Sequence, residues 1–266
     1  MPRQHNLIRL VCCLLGLLAW PLFVLYRRPT FFYPRILNMT TEDYIPSELN
    51  EYLSWTKAYA FTHVNHKEQQ HMTILMGNEA GDLDSAASAI ALSYVMNHRQ
   101  SYFTTKYSLP PSVYVPLIQT PRSQLRFRQE NLLVYRSVGI SVDSLLCVDD
   151  LGDLSSPVFS AASNVSLGLV DHPSLRPAWK GSGTGNARHV EVIVDHHEDD
   201  GAHEDAKLRF ISSPSREPVG SASSLVAKLA MESRPNGIIP SNLADLLLSA
   251  VILDTRNVRG SPYAPE

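Results

Sequence analysis

The chain has 266 residues, 44% of them hydrophobic, with a formal net charge of −3 and only 3 cysteines. That length suits one sizeable α/β core with a short appendage, and the charge excludes any global attraction for nucleic acid or other polyanions. Cys12 and Cys13 lie in an apolar run and Cys147 in a predicted core strand, which excludes a disulfide framework, a zinc–thiolate cluster and thiol chemistry.

Leu10 to Tyr26 is an uncharged apolar run, flanked by Arg3 and Arg9 before it and Arg27 and Arg28 after it. It predicts an N-terminal apolar helix within residues 1–28, barely long enough to span a bilayer. The expectation is a signal anchor that tethers the protein to a membrane; a cleaved signal peptide and a non-membrane start are the alternatives. Residues 29–46 read as a linker, and the sequons at Asn38 and Asn164 matter only if the body is lumenal.

The body, residues 47–266, opens with a capped amphipathic helix from Pro46-Ser47-Glu48 to about Phe61. Then come a strand over 72–76, a helix over 85–97, a strand over 112–118, a helical stretch near 123–138, and strands over 144–149, 165–170 and 190–195. Gly181-Ser182-Gly183-Thr184-Gly185 reads as a surface loop, and helices over 220–232 and 241–253 finish the chain. The alternation predicts an α/β fold: a Rossmann-like, doubly wound, mostly parallel sheet with helices on both faces.

The strand ends carry the chemistry. Strand 72–76 runs into Gly77-Asn78-Glu79-Ala80-Gly81-Asp82-Leu83-Asp84-Ser85, strand 165–170 into Asp171-His172, and strand 190–195 into Asp195-His196-His197. In an open parallel sheet, ligands collect beyond the carboxyl ends of the strands, so Asp82, Asp84, Asp171, Asp195, His196 and His197 are expected to converge. So many carboxylates suit a pair of ions with one carboxylate bridging, and oxygen ligands with imidazole favour Mn²⁺ or Mg²⁺.

Together with Gly220-Ser221-x-x-Ser224-Leu225-Val226 and Asp254-Thr255, these motifs in this order resemble the DHH phosphoesterase superfamily. Within it the sequence is most similar to the fungal-type exopolyphosphatases, relatives of the family II inorganic pyrophosphatases, over about residues 47–258, with the motif core at 72–258. The resemblance implies one metal on Asp82 and Asp171 with Asn78 nearby, and another on Asp84, Asp171, His196 and Asp254. It implies that His197 faces the scissile phosphoryl group as a proton donor or hydrogen-bond partner, that Asp195 orients both histidines, and that the protein is cytoplasmic. Asn78 stands where the pyrophosphatase branch has a histidine ligand; a weaker, harder oxygen donor there favours Mg²⁺ and long-chain polyphosphate over pyrophosphate.

The implied activity is release of orthophosphate from the end of inorganic polyphosphate, or attack on another phosphoanhydride, by water activated between two divalent ions. The resembled enzymes continue into a second domain whose basic residues grip the phosphate chain; the expectation is that this chain lacks that domain and that its hydrolysis is weakened. Pyrophosphatase or nucleotide phosphoesterase activity, and a non-catalytic, membrane-tethered metal- or phosphate-binding module, are the competing readings.

Several residues have two readings. His172 either contacts phosphate or makes a structural hydrogen bond, and Ser221 either opens a helix amino terminus that receives phosphate or acts as an ordinary cap. Arg126 and Arg128, with Arg122 and Arg136, either guide polyphosphate or form a solvated helix face. Asp149 and Asp150 read as a solvated turn, and His63, His66 and His71 as surface residues. Oligomeric state is not legible in the sequence.

Overall fold

A computed structural model describes residues 45–66, 70–181, 186–234 and 239–258. The apolar run Leu10–Tyr26, nearly all of the linker, the Asn38 sequon and Ser182–Gly185 lie outside the described residues. Among the described residues, no helix is long and apolar enough to cross a membrane.

Helix α1 (Leu49–His66) begins where the Glu48 carboxylate accepts the Glu51 N–H at 2.8 Å. Strands β1 (Met72–Met76), β2 (Val113–Leu117), β3 (Val165–Val170) and β4 (Val190–Asp195) are buried at every position. That explains why they read as near-continuous apolar runs, the signature of parallel strands covered on both faces. A fifth strand, β5 (Leu208–Ile211), completes one parallel sheet in the order β2-β1-β3-β4-β5.

The order places β1 between β2 and β3, so connections leave the sheet on opposite sides of the β1/β3 boundary and open a crevice at its carboxyl end. The registers align the tips: Met76 pairs with Leu169, and Val170 with Val194. Gly168 pairs with Leu75, and a methyl at Gly168 would lie 2.2 Å from Leu75 Cδ2, so glycine leaves room for that side chain in the core.

Helices α2 (Leu83–His98), α5 (Ala222–Ser233) and α6 (Ser241–Asp254) pack together over one face, on Leu75, Tyr114, Val170, Val192 and Val194. The other face, with Ile74, Met76, Leu167, Leu169 and Ile193, is covered by the end of α1 and by Phe159 and Trp179. Phe159 and Trp179 lie in short 3₁₀ turns, so the helical cover of this face is thinner than the alternation predicts.

Four features depart from the sequence reading. The helical stretch near 123–138 is a 3₁₀ turn over Arg122–Phe127 followed by α4 (Gln129–Ser137), with Arg128 outside helical geometry between them. The strand expected over 144–149 shrinks to a single bridge between Cys147 and Ile118, because 3₁₀ turns at Val142–Ser144 and Val148–Asp150 interrupt it. Asp150 is no solvated turn residue: it accepts from the Cys147 N–H and from Arg122, which also binds the Val142 and Leu145 carbonyls. His63 is not a surface residue either, being buried against the Ser163 carbonyl, and His71 is half-buried, 3.0 Å from Ser166 Oγ.

Two elements escape the sequence reading altogether. Helix α3 (Gln100–Tyr107) buries only Phe103, leaving no apolar stripe, and β5 is four residues long with Arg209 bound to Asp199 on its surface.

Candidate metal centre

The loop after β1 turns tightly against the first turn of α2. A Cβ at Gly77 would lie 2.7 Å from the Ser85 carbonyl oxygen, so only glycine passes there without displacing the backbone. Asp82 caps α2, its Oδ1 accepting the Ser85 N–H at 2.9 Å. Two residues on, Asp84 is buried and crosses to the amino terminus of α5. Its Oδ2 accepts the Ala222 N–H at 2.7 Å, and its Oδ1 accepts the Ser223 N–H and the Ser221 hydroxyl, each at 2.8 Å. A carboxylate at a helix amino terminus satisfies unpaired N–H groups and lies at the positive end of the helix dipole.

Asp171, at the tip of β3, has φ +64, a left-handed conformation that non-glycine residues seldom adopt. Its Oδ2 accepts from Ser85 Oγ at 2.6 Å and from Asn78 Nδ2 at 2.8 Å, while its Oδ1 lies 3.1 Å from His196 Nε2. At the tip of β4, the fully buried Asp195 uses Oδ1 to accept the His196 N–H and the His197 Nδ1–H, both at 2.8 Å. His196 donates Nδ1–H to the Val219 carbonyl at 2.9 Å, which turns Nε2 toward Asp171 and toward Asp84 Oδ2, 3.9 Å away. An imidazole held by one nitrogen to a carbonyl with the other aimed at carboxylates is the arrangement that metal-binding histidines use.

Two groups bring three ligand atoms within 4.8 Å of one another: Asp171 with His196 and His197, and Asp84 with His196 and Asp254. His196 belongs to both. Asp254, the last residue of α6, thus reaches the centre from the helical face. Asp82 and Asn78 border the centre but belong to neither group; Asn78 turns its NH₂ to Asp171 and its oxygen to the Ala80 N–H at 2.9 Å.

The electrostatics suit a cation. Burial, reinforced by the Asp84 and Asp82 charges, raises the Asp171 pKa to about 6, against the opposing hydrogen bonds from His196 and Ser85. Burial and the Asp84 charge raise Asp254 to about 8. Burial disfavours a charged His196 ring, but its bonds to Asp171 and Val219 and the Asp84 charge more than offset this and lift it to about 9. The hydrogen bond to Asp195 raises His197. Crowded carboxylates of this kind repel one another, and a divalent ion removes that repulsion, so the donor set fits a metal.

His172 is buried, makes the structural hydrogen bond from Nδ1 to the Val170 carbonyl at 2.9 Å, and is pushed down to about 4 by burial. Ser221 is fully buried and gives its hydroxyl to Asp84, so Asp84 occupies the helix terminus expected to receive phosphate. Arg128 donates to the Ala80 carbonyl in the loop that carries Asp82, and pairs with Glu130 at 3.8 Å. Arg126 lies over the Phe127 ring, 4.8 Å from its centre, and no contact brings it to the carboxylates. Linear sequence does not mark Ser85, Ser223 and Val219 as functional; the small polar run Gly220-Ser221-Ala222-Ser223 is the available signal for the second of these.

The family model of the DHH family, N-terminal domain, matches residues 72–251. Among curated proteins, the chain is 30% identical over 196 residues to "Putative exopolyphosphatase" of Schizosaccharomyces pombe, covering 70% of this chain and 46% of that protein. It is 29% identical over 192 residues to "Exopolyphosphatase PRUNE1" of Rattus norvegicus and of Homo sapiens, covering 72% of this chain and 38% of each. The matched region therefore spans less than half the length of these relatives.

Proposed function

This chain belongs to the DHH family, and on that premise we propose that it is a metal-dependent phosphoanhydride hydrolase that releases orthophosphate from the end of inorganic polyphosphate. The observation that carries the reading is the pair of ligand groups that share His196 at the crevice beyond β1, β3 and β4. The exopolyphosphatase names of the relatives support the substrate class.

Two divalent ions, Mn²⁺ or Mg²⁺, supply Lewis acidity toward the phosphoryl oxygens and lower the pKa of the attacking water. Asp84, His196 and Asp254 would hold one, and Asp171, with Asp82 nearby, would hold the other. His197 is the partly exposed ring of the centre, its side chain 35% accessible, and its bond to Asp195 favours the protonated form. It is thereby suited to give a hydrogen bond, and then a proton, to the phosphoryl group or the departing chain. Asp195 fixes the ring from beneath. Arg128 donates to the Ala80 carbonyl of the loop that carries Asp82, and on this reading it meets further phosphates of the chain. Asn78 keeps its oxygen on the Ala80 N–H and supplies no imidazole ligand, a departure from the pyrophosphatase pattern that supports polyphosphate over pyrophosphate.

The test is orthophosphate release from long-chain polyphosphate, pyrophosphate and nucleoside triphosphates, with Mg²⁺ or Mn²⁺, for the wild type and His196→Ala. Metal-dependent release from polyphosphate that is lost in His196→Ala is the expected outcome. Preference for pyrophosphate or a nucleotide would move the protein to the alternative hydrolase reading, and tight metal binding without any turnover would make it a binding module.

A further inference from the structure

We infer that Ser85 and Asn78 form a clamp that commits Asp171 Oδ2 to the protein and leaves Oδ1 for the ligand, with Asn78 acting through its N–H group rather than as an oxygen ligand. The inference rests on the metal-dependent reading above and assigns two positioning residues within it.

The directions of the hydrogen bonds are closed. The Ser85 hydroxyl accepts the Asn78 backbone N–H at 3.0 Å, so its own hydrogen goes to Asp171 Oδ2, 2.6 Å away. Asn78 Oδ1 accepts the Ala80 N–H at 2.9 Å, and Nδ2 meets Asp171 Oδ2 at 2.8 Å and the Asp171 carbonyl at 3.3 Å. Turning the amide over would set its oxygen against a carboxylate and its NH₂ against an N–H, two repulsions in place of two bonds. The orientation is therefore set by chemistry.

The surroundings are built to hold this clamp. Gly77 leaves the gap through which Ser85 approaches, since a Cβ there would lie 2.8 Å from Ser85 Cβ. The Asp82 carboxylate fixes the Ser85 backbone N–H. Asp171 keeps its left-handed backbone at φ +64, the kind of local strain that persists only where neighbouring bonds enforce it. With Oδ2 taken by two donors, Oδ1 is the oxygen presented to His196 and to an ion.

The experiment is Mn²⁺ titration of the full chain, read by the electron paramagnetic resonance of free Mn²⁺, for the wild type, Ser85→Ala, Ser85→Cys and Asn78→Asp. Thermal unfolding without metal identifies any variant that does not fold. Loss of a partner that orients a metal ligand weakens affinity about 10–100-fold, and Ser85→Ala is expected in that range. Ser85→Cys keeps the shape but donates weakly, so it should fall between Ser85→Ala and wild type; a packing role alone would leave it at wild type. Asn78→Asp is the sharpest arm. It replaces the N–H donor by a second carboxylate facing Asp171, so the clamp predicts a lowered unfolding midpoint without metal that Mn²⁺ restores, whereas a residue that only offers its oxygen to the ion leaves the metal-free midpoint at wild type. A wild-type metal-free midpoint in Asn78→Asp, or wild-type Mn²⁺ binding in Ser85→Ala, would overturn the clamp while leaving the metal-dependent reading intact. Failure of the wild type to bind Mn²⁺ would overturn both.

Discussion

Asp84 and Ser221, 137 residues apart in the chain, meet at 2.8 Å, and through that contact a carboxylate from the first turn of α2 closes the amino terminus of α5. The arrangement joins stability to the metal centre, because the same carboxylate faces His196 and Asp254. Ser221→Ala removes one of the donors that hold it. The expected cost is about 1–3 kcal/mol of stability, the usual loss when a buried charged acceptor loses a donor, with weaker metal binding alongside. Urea unfolding without metal and Mn²⁺ titration check the two halves. A variant that loses stability but binds Mn²⁺ like wild type would separate the helix terminus from the ion site.

Much of this centre is legible in the sequence, for a physical reason. Strands β1, β3 and β4 are buried on both faces, so they appear as unbroken apolar runs, and a charged residue at such a run's end has to lie at the sheet's edge. Asp171, Asp195 and His196 are found that way. What the pattern does not carry is which donor meets which acceptor. Ser221 lies at a helix amino terminus, as read, but the anion there is Asp84 rather than a phosphate, and nothing in linear spacing announces a partner 137 residues away. For the same reason the hydroxyl of Ser85 goes unnoticed beside the more conspicuous carboxylates around it. Helix α3 and strand β5 are missed because they bury too little to impose a period.

Metal binding should release protons at neutral pH. Without an ion, Asp254 titrates at about 8 and His196 at about 9, so both hold a proton at pH 7, and a cation requires the carboxylate ionised and the ring neutral. Affinity for Mn²⁺ should climb from about pH 6 to about pH 9 and level off above. The stability of the metal-free protein should run the other way. Folded-state pKa values raised above the ordinary values of roughly 3.9 for aspartate and 6.5 for histidine mean that the folded state binds more protons. The metal-free protein therefore loses stability as pH rises through that window. Calorimetric titration in buffers of different ionisation enthalpy measures the protons, and unfolding with and without Mn²⁺ measures the stability. Binding without proton release at pH 7 would contradict the scheme.

Asp195→Asn should change how His197 titrates. The carboxylate raises the His197 pKa by accepting its Nδ1–H at 2.8 Å, and an amide supports the imidazolium less well. If the protonated ring assists departure of the chain, the alkaline limb of the kcat profile moves to lower pH. The rate at the optimum should fall about 10–100-fold, the usual loss when such an orienting partner is removed. An unshifted alkaline limb would show that another group sets it.

Two glycine substitutions distinguish strain at the centre from strain in the core. In Gly77→Ala the new methyl would meet the Ser85 backbone oxygen at 2.7 Å, and in Gly168→Ala it would meet Leu75 Cδ2 at 2.2 Å. Both overpack, and each should cost about 1–3 kcal/mol of stability. Their effects on the ion site should differ. Gly77→Ala presses on the residue whose hydroxyl holds Asp171, so Mn²⁺ affinity should fall with stability. Gly168→Ala presses on a side chain packed inside the sheet, three residues before Asp171, and there the Leu75 side chain can give way without moving the strand tip. Mn²⁺ affinity should then stay near wild type although the unfolding midpoint drops. Parallel losses of affinity in the two variants would mean that the site follows the rigidity of the whole sheet rather than the local fit between Gly77 and Ser85.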